Sequence, residues 1–321
     1  MDVVTGAAGF IGSHLTERLL AEGRQVLAID AFDDYYAREA KEQNLAEARH
    51  HPGLTVVEGD LLDLDLPRLL APAQRVFHLA GLPGVRGSWG DPFDRYVRNN
   101  VLATQRLLES AVRANVERFV YGGSSSAYGD PPVQPTSETA VPAPMSPYGV
   151  TKLAAEHLVH LYGHEHRLPT VALRFFTVYG PRQRPDMAFH RFIQAILRDR
   201  PIVLYGGGHW RRDFTYVDDI VDGILAAGER GEAETTYNLG FGAPVELLEV
   251  ARVLENLSGR AIDIRMGESS GGEPKSTWSD SRRAAEQLGY RPKVALAQGL
   301  RRQWDWQTRQ DRHLIMQPLA P

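Results

Sequence analysis

Tyr148 and Lys152 are four residues apart in the stretch SPYGVTK, and this pair is suited to proton transfer. Ser146 and Pro147 before them are typical of a helix start, and residues four apart on a helix share a face. An ammonium beside a phenol favours the phenolate and lowers a pKa that is normally about 10. The pair therefore predicts a tyrosine that accepts a proton from a hydroxyl and returns it. The spacing alone also fits a core tyrosine and a surface lysine.

Three hydroxyls follow one another in GGSSSAYGD, at Ser124, Ser125 and Ser126. Serine runs are usually linkers, but this one comes directly after the apolar stretch ERFVY, which predicts a strand. No acid accompanies the three serines. We therefore expect them at the carboxyl end of a strand, where they can donate hydrogen bonds to a ligand.

Gly6, Gly9 and Gly12 have the spacing GxxGxxG between a short apolar strand and an amphipathic helix, and the next strand, QVLAID, ends in Asp30. A strand, turn, helix and strand in this order form the unit that binds a dinucleotide. The pyrophosphate would lie at the helix N-terminus, and the acid would accept from a ribose diol. The first strand is a residue or two shorter than usual, which is consistent with a trimmed or mis-started N-terminus.

Asp30 also disfavours NADP, because a carboxylate would repel its 2′-phosphate. Arg38 and Lys41 lie nearby in sequence and act in the opposite direction. NAD is therefore the expected coenzyme.

Strand and helix patterns alternate through the first half of the chain. The strands are expected around 54–63, 75–81, 118–126 and 170–176, and the helices near 96–114 and 147–166. Such alternation predicts a parallel, doubly wound (Rossmann) α/β sheet whose ligands collect at the carboxyl ends of the strands. We predict a dinucleotide-binding domain from 1–176 and 212–240, with DFTYVDDIVDGILAAGE returning to the main sheet. Residues 177–211 and 241–321 are predicted to form a smaller, interleaved substrate domain.

Composition restricts the function classes. Of the 321 residues, 43% are hydrophobic and 24% charged, and the formal charge is -4, with no basic stripe. This argues against nucleic acid as a partner. No apolar run is long enough for a membrane span, and no signal peptide opens the chain. There are no cysteines, which excludes thiolate chemistry and fits the cytoplasm.

The chain resembles the extended short-chain dehydrogenase/reductases that act on nucleotide sugars. The resemblance covers nearly the whole chain and rests on the motifs TGAAGFIGSHL, GDLLD, HLAG, NNVLATQRLLESA, SSSAYG, SPYGVTK, RFFTVYGP and RRDFTYVDD. It implies tightly held NAD and a catalytic triad of Ser124, Tyr148 and Lys152. The implied cofactor-binding residues are Gly6, Gly9, Phe10, Ile11, Gly12, Asp30, Asp60, Leu61, Ala80, Gly81, Asn100, Tyr148 and Lys152. Gly122 and Gly123 stand where relatives usually carry Ala or Ser, so we expect a looser floor under the nicotinamide.

Two reactions of this family are disfavoured by residues that the chain lacks. Family members that dehydrate hexoses carry an Asp-Glu pair where this chain has Ser125 and Ser126. Decarboxylases of UDP-glucuronate typically carry a Glu at the position of Ser126. Without these acids, the remaining chemistry is hydride and proton transfer, which suffices for epimerisation at C4 through a transient 4-keto sugar.

The stretches RFFTVYGPRQRPDMAFHRFI and GVRGSWGDP resemble those of UDP-glucuronate 4-epimerases. Galactose epimerases commonly carry an Asn at the position of Thr177. We therefore expect UDP-glucuronate as substrate, its carboxylate held by the serines and Thr177 so that loss of carbon dioxide is slowed. The expected substrate-binding residues are Arg86, Ser125, Ser126, Thr177, Arg184, Tyr205, Arg212 and Glu273. Within this set, Arg184 and Arg212 are expected at the diphosphate, Tyr205 at the uracil and Glu273 at the ribose.

Three alternatives remain open: a UDP-glucose 4-epimerase, a UDP-glucuronate decarboxylase and a non-catalytic NAD-binding regulator. By resemblance, the helices near 96–114 and 147–166 are expected to form a homodimer through a four-helix bundle. His157, His160 and His164 recur at helical spacing, but no metal-ligand motif accompanies them, so we expect a solvated helix face and no metal.

Overall fold

A computed structural model describes residues 1–267 and 272–316 of the protein. The predicted 241–321 segment thus includes two stretches, 268–271 and 317–321, outside the described residues. The strands are β1 (Asp2–Thr5), β2 (Val26–Asp30), β3 (Leu54–Glu58), β4 (Arg75–His78), β5 (Arg118–Ser124), β6 (Thr170–Phe175), β7 (Thr177–Tyr179), β8 (Ile202–Tyr205), β9 (Arg211–Arg212), β10 (Phe214–Tyr216), β11 (Thr235–Leu239), β12 (Val245–Glu246) and β13 (Ile264–Gly267).

The α-helices within the described residues are given next in chain order. They are α1 (Phe10–Ala21), α2 (Arg38–Leu45), α3 (Leu66–Leu70), α4 (Phe93–Tyr96), α5 (Ala103–Arg113), α6 (Pro147–His166), α7 (Ala188–Leu197), α8 (Val217–Arg230), α9 (Leu247–Ser258), α10 (Arg282–Gln287) and α11 (Leu296–Met316). Within the described ranges, no helix is both long and apolar enough to cross a membrane.

The main sheet confirms the predicted fold class. Among the described strands, seven lie in the order β3-β2-β1-β4-β5-β6-β11, and every pairing is parallel. Chain order reverses between β1 and β4. Ligands bind outside the carboxyl ends of the strands at such a reversal. Thr5, His78 and Ser124, the last residues of β1, β4 and β5, lie at this edge.

Apolar side chains cover both faces of the sheet. On one face, Leu15 of α1 and Ile220 of α8 are fully buried, and on the other, Leu107 of α5 and Val159 of α6 are. Each such burial stabilises the fold by roughly 1.5–3 kcal/mol. The two layers hold the sheet rigid, so its carboxyl edge has a fixed geometry.

Helix α6 begins where the sequence predicts it. The Ser146 side chain accepts a hydrogen bond from the Gly149 amide (3.1 Å), and Pro147 occupies the first turn. The helix ends at His166, and the capping residue Arg167 has a left-handed φ of 55°.

The predicted helix near 96–114 contains a feature that the pattern does not reveal. Between α4 and α5 the chain forms a π-helical turn from Val97 to Leu102. Such turns insert one residue into a helix and often occur at functional sites.

The stretch DFTYVDDIVDGILAAGE differs from its prediction. Its strand, β10, pairs in parallel with β7 in a separate two-stranded sheet rather than joining the main sheet. The place beside β6 belongs to β11, and α8 packs against the face of the main sheet instead. Two further short sheets pair β8 with β13 and β9 with β12. Helices α7 and α9 pack against β8, and α11 packs against both helices.

Candidate active site

The turn after β1 is shaped by its glycines. Gly6 has a left-handed φ of 69°, and a Cβ there would lie 2.8 Å from the Ala80 amide nitrogen. A Cβ on Gly12 would lie 2.1 Å from the Gly6 carbonyl oxygen, so only glycine lets α1 pack on the turn. The first intrahelical bond runs from the Ser13 amide to the Gly9 carbonyl (3.1 Å), which leaves the amides just before it directed at the cavity above. This cradle fits a pyrophosphate.

Asp30 is positioned as a ribose acceptor. One carboxylate oxygen accepts from the Ala8 amide (2.9 Å) and the other from the Phe32 amide (2.8 Å). Burial raises the pKa of Asp30, and these hydrogen bonds oppose that effect. Each oxygen retains a lone pair for a hydroxyl. Arg38, the nearby cation that acts against the preference of Asp30 for NAD, is ion-paired with Glu58 (2.7 Å) and Glu42 (2.8 Å).

One cavity collects nearly all the predicted cofactor-binding residues. It is lined by Gly6, Gly9, Phe10, Ile11, Gly12, Asp30, Asp60, Leu61, Ala80, Gly81, Tyr148 and Lys152. Asn100 does not line it. Its side chain lies behind the wall and bonds both the amide (2.6 Å) and the carbonyl (3.0 Å) of Leu82, while the neighbouring Asn99 lines the cavity.

Tyr148 and Lys152 both line this cavity, next to the end of β5. The Lys152 ammonium donates to the Gly122 carbonyl (2.6 Å) and lies 4.6 Å from the centre of the Tyr121 ring. The Tyr148 ring makes an edge contact with Tyr96, with centroids 6.4 Å apart. The helix α6 thus presents both side chains at the carboxyl edge of the sheet.

The predicted lowering of the Tyr148 pKa by Lys152 is not found. Burial raises the pKa of Tyr148, while the Ser124 hydroxyl and the Arg184 charge act to lower it. Burial also lowers the pKa of Lys152 to about 8, against the opposing charge of Glu156. Desolvation therefore outweighs charge pairing, and Ser124 rather than Lys152 is the nearby group that favours the phenolate.

A second cavity, of about 800 Å³, shares Tyr148 with the first. Every predicted substrate-binding residue lines it: Arg86, Ser125, Ser126, Thr177, Arg184, Tyr205, Arg212 and Glu273. Ser124 lines it too, and its oxygen accepts from the Ser126 amide (3.1 Å), which leaves its proton available to a ligand or to Tyr148. The hydroxyl run therefore faces the space beside the proposed base.

Arg86, Tyr205, Arg212 and Glu273 form a cluster in this cavity. The Arg86 guanidinium lies 4.2 Å from the centre of the Tyr205 ring and 2.8 Å from Glu273. Arg212 reaches the other oxygen of Glu273 (3.3 Å). An aromatic ring, two guanidinium groups and a carboxylate match a base, a diphosphate and a ribose diol.

Arg184 lies elsewhere. It pairs with Asp186 through two contacts of 3.0 Å and lines both cavities, near Tyr148 and Tyr35. Tyr35 donates weakly to Asp186 (3.4 Å). Arg184 thus lies where the two cavities meet, apart from Arg212, although both were expected at the diphosphate.

Two further expectations are wrong. The floor under the nicotinamide is not looser, because a Cβ on Gly122 would lie 2.7 Å from Leu79 and 3.1 Å from Phe175, which fill the space. Nor are the three histidines one solvated face, since the half-buried His160 ring lies 2.8 Å from the Thr236 hydroxyl. His157 and His164 are exposed.

Sequence reasoning missed several lining residues. They are Asp33, Tyr35, Tyr36 and Asn99 in the first cavity, and Asp186, Arg191 and Trp210 in the second. The aromatic pair Tyr35-Tyr36 directly after the Asp30 strand was a usable signal, because aromatics in a loop at a switch point commonly face a ligand. Nothing in the pattern distinguished Asn99 from Asn100.

The fold and the site define a nucleotide-coenzyme enzyme in which a Rossmann sheet places a tyrosine, a lysine and a serine between a dinucleotide cradle and a second, cation-lined cavity. The profile of the NAD dependent epimerase/dehydratase family matches residues 3–240. The chain belongs to this family, and its cofactor is NAD.

Several known proteins are similar over almost the whole chain. A crystal structure of the UDP-glucuronic acid 4-epimerase of Bacillus cereus, in complex with UDP-glucuronic acid and NAD, has a TM-score of 0.94 and 41% identity, covering 97% of this chain and 100% of its own. The uncharacterized UDP-glucose epimerase YtcB of Bacillus subtilis is 43% identical over 93% of this chain and 95% of its own length. UDP-glucuronate 4-epimerase 2 of Arabidopsis thaliana is 37% identical over 95% of this chain and 75% of its own.

Proposed function

We propose that this enzyme interconverts UDP-glucuronate and UDP-galacturonate by NAD-dependent epimerisation at C4, through a transient 4-keto sugar. The observation that carries the proposal is the second cavity, where Ser124, Ser125, Ser126 and Thr177 stand beside Tyr148. Hydroxyls bind a sugar carboxylate without the repulsion that a protein carboxylate would add. The similarity to the Bacillus cereus enzyme supports the same substrate.

The first cavity fits NAD. The glycine cradle would hold the pyrophosphate, Asp30 the adenosine ribose, and the wall from Ala80 to Leu82 the nicotinamide half. When bound, NAD supplies a hydride acceptor and a positively charged ring near the phenol. We assign NAD binding to residues 1–176 and 212–240, and the sugar nucleotide to residues 177–211 and 241–321 together with the residues of the first domain that line the second cavity, such as Ser125 and Arg212.

Tyr148 would hold and return the proton of the C4 hydroxyl. Because burial raises its pKa, the phenol needs help to lose its proton, and Ser124 can donate to the phenolate once it forms. Lys152 lines the same cavity and is held at the end of β5 by its bond to the Gly122 carbonyl. Tyr148 would therefore act as base in one half-reaction and as acid in the other.

The carboxylate of the substrate must be held during the 4-keto stage, when it lies β to a ketone. Ser125, Ser126 and Thr177 can bind it in one orientation, and Arg184 adds a positive charge close to Tyr148. Holding the breaking bond out of line with the carbonyl π system would slow loss of carbon dioxide. The Arg212 cluster would retain the UDP half while the sugar turns over.

The test is proton NMR of the purified protein with UDP-glucuronate and no added coenzyme. Formation of UDP-galacturonate supports the proposal and shows that NAD co-purifies. A pentose product would mean that the hydroxyls do not protect the carboxylate. UDP-glucose in a parallel tube tests the second candidate, which the name of the Bacillus subtilis relative favours; turnover of UDP-glucose alone would replace the proposal.

We also propose a homodimer in the cytoplasm. Leu102, Val150 and Leu161 are about half exposed on neighbouring helical segments, and α5 packs against α6. Exposed apolar side chains on paired helices are what a four-helix bundle between two copies would bury. The cysteine-free composition fits a reducing compartment.

A further inference from the structure

His78 is a fully buried histidine that the catalytic scheme does not use. It is the last residue of β4, directly below the wall of the first cavity. Its ring packs near the Phe119 and Tyr121 rings, with centroids 6.0 and 5.8 Å away. A buried imidazole needs partners for both ring nitrogens, and these partners show what it does.

Each ring nitrogen meets one threonine hydroxyl. Nδ1 lies 2.8 Å from the Thr5 oxygen, and Nε2 lies 2.9 Å from the Thr104 oxygen. The Thr104 hydroxyl donates its only proton to the Asn100 carbonyl (2.7 Å), so Nε2 must carry a proton and donate it to Thr104. Thr5 then donates to Nδ1 and accepts from the Ala80 amide (3.2 Å).

The result is a directional chain of four hydrogen bonds. It runs from the Ala80 amide through Thr5, His78 and Thr104 to the Asn100 carbonyl. Each of the four donors gives one proton to the next member, so the chain fixes one tautomer of His78. A protonated ring would leave the Thr5 hydroxyl proton without its acceptor, and burial together with the nearby Lys152 ammonium lowers the pKa of His78 to about 3.

One end of the chain lies at the NAD cavity, and the other belongs to the turn beside it. Ala80 lines it directly. Asn100 belongs to the π-helical turn, in which Asn99 lines the cavity and the Asn100 side chain grips Leu82. The Thr104 hydroxyl donates to the Asn100 carbonyl four residues before it, which ties the start of α5 to the π turn.

We propose that neutral His78, in its Nε2–H form, is a positioning residue for NAD: it ties the Ala80–Leu82 wall to the π turn that carries Asn99 and Asn100. The ring touches neither coenzyme nor substrate in this scheme. Its effect passes through Thr5 and Thr104 to the two surfaces between which the nicotinamide half is held. The inference concerns the family cofactor and does not depend on which sugar is the substrate.

The test removes one link without changing side-chain volume. Thr104→Val deletes the hydroxyl and keeps the shape, and Thr104→Ser restores the hydroxyl. Thr170→Val is the matched control, because the buried Thr170 hydroxyl has no hydrogen-bond partner among the described residues. The readouts are NAD per chain in the purified protein, the rate at which NAD dissociates on dilution, and the melting temperature.

We expect Thr104→Val to lose NAD about tenfold faster, the effect of one buried hydrogen bond, and Thr104→Ser to retain it as the wild type does. Unchanged NAD retention in Thr104→Val would overturn the proposal. Equal loss in Thr170→Val would also overturn it, since the loss would then reflect general destabilisation.

A spectroscopic measurement tests the tautomer itself. In ¹⁵N-histidine-labelled protein, the His78 signals are assigned by their absence from the His78→Gln spectrum. We expect a protonated Nε2 and an unprotonated Nδ1 that do not change between pH 5 and 8. A protonated Nδ1, or titration within this range, contradicts the hydrogen-bond chain.

Discussion

Tyr148 is the residue on which the proposed chemistry depends. Tyr148→Phe keeps the ring and removes the proton-transfer group, so we expect the epimerisation rate to fall about 10³-fold while NAD stays bound. Tyr290→Phe is the control, because the buried Tyr290 hydroxyl has no hydrogen-bond partner among the described residues. The measurements are the epimerisation rate by NMR and the NAD content of each variant. Wild-type turnover in Tyr148→Phe would contradict the proposed role of Tyr148.

The serine run offers a test of substrate charge at the same scale. Ser125→Asp places a carboxylate where the substrate carboxylate is proposed to bind, and we expect KM for UDP-glucuronate to rise at least about tenfold. Ser137→Asp, outside both cavities, should leave KM unchanged. A similar loss of binding for UDP-glucose in Ser125→Asp would mean that residue 125 affects the shape of the cavity and does not contact the substrate carboxylate.

Single residues were also where the sequence was most and least informative. The glycines and Asp30 could be predicted because their backbone geometry is set by near neighbours in the chain. The environment of Tyr148 could not, because its pKa reflects burial, and burial is decided by distant elements such as the loop carrying Arg184. Asn99 rather than the expected Asn100 lines the cavity because both lie in the π turn, which the sequence pattern does not reveal.

At the scale of elements, α11 holds the loop that carries Arg184 and Asp186. The Gln303 side chain, fully buried on α11, accepts from the Gly180 amide (3.0 Å) and donates to the Gln183 side chain (2.8 Å). Gln183 in turn donates to the Val178 carbonyl (3.1 Å). A C-terminal helix distant from the catalytic pair therefore fixes one side of the second cavity.

Gln303→Leu tests this anchoring. Replacing the amide leaves the buried Gly180 amide without its acceptor, which costs about 1–3 kcal/mol, and removes the bond to Gln183, whose oxygen keeps only the His190 amide; the loop is then freed. We expect a KM for the UDP-sugar raised about tenfold, with the NAD content unchanged. Arg301→Leu, on the exposed face of the same helix, is the control. If NAD were lost instead, α11 would support the coenzyme cavity rather than the substrate loop.

Element boundaries followed the local signals where these existed. The Ser-Pro start of α6 and the strand runs of the main sheet appear at their expected positions. The partner of β10 could not be inferred, because a three-residue strand carries no register information and pairs wherever an edge is free.

At the scale of the whole molecule, the exposed apolar residues on α6 test the proposed dimer. Leu161→Glu puts a charge into the expected bundle, and we expect it to shift a dimer to a monomer in sedimentation at micromolar concentration. Val133→Glu, an exposed apolar position outside both helices, should remain dimeric. A wild-type monomer, or a dimeric Leu161→Glu, contradicts this interface.

Acid stability is a second property of the whole molecule, and it depends on histidines buried in neutral form. His14 of α1 lies 3.1 Å from the Pro181 carbonyl, and burial together with Arg182 lowers its pKa from 6.5 to about 4. The unfolded chain therefore binds a proton between pH 6.5 and 4 that the folded protein does not. The free energy of unfolding must fall as the pH falls through this window, by up to about 1.4 kcal/mol per pH unit for each such histidine.

His14→Gln removes one of these protons while an amide can still donate to Pro181. We expect urea unfolding of the NAD-bound enzyme at pH 7.5, 6 and 5 to show that the free energy of unfolding falls less steeply with decreasing pH in His14→Gln than in the wild type. The difference in slope should approach about 1.4 kcal/mol per pH unit, the effect of one proton. His50→Gln, at an exposed position, should follow the wild-type curve. Parallel curves for His14→Gln and the wild type would mean that the α1 contact with the Pro181 loop opens before the enzyme unfolds, so that His14 titrates as in water while the sheet is still intact.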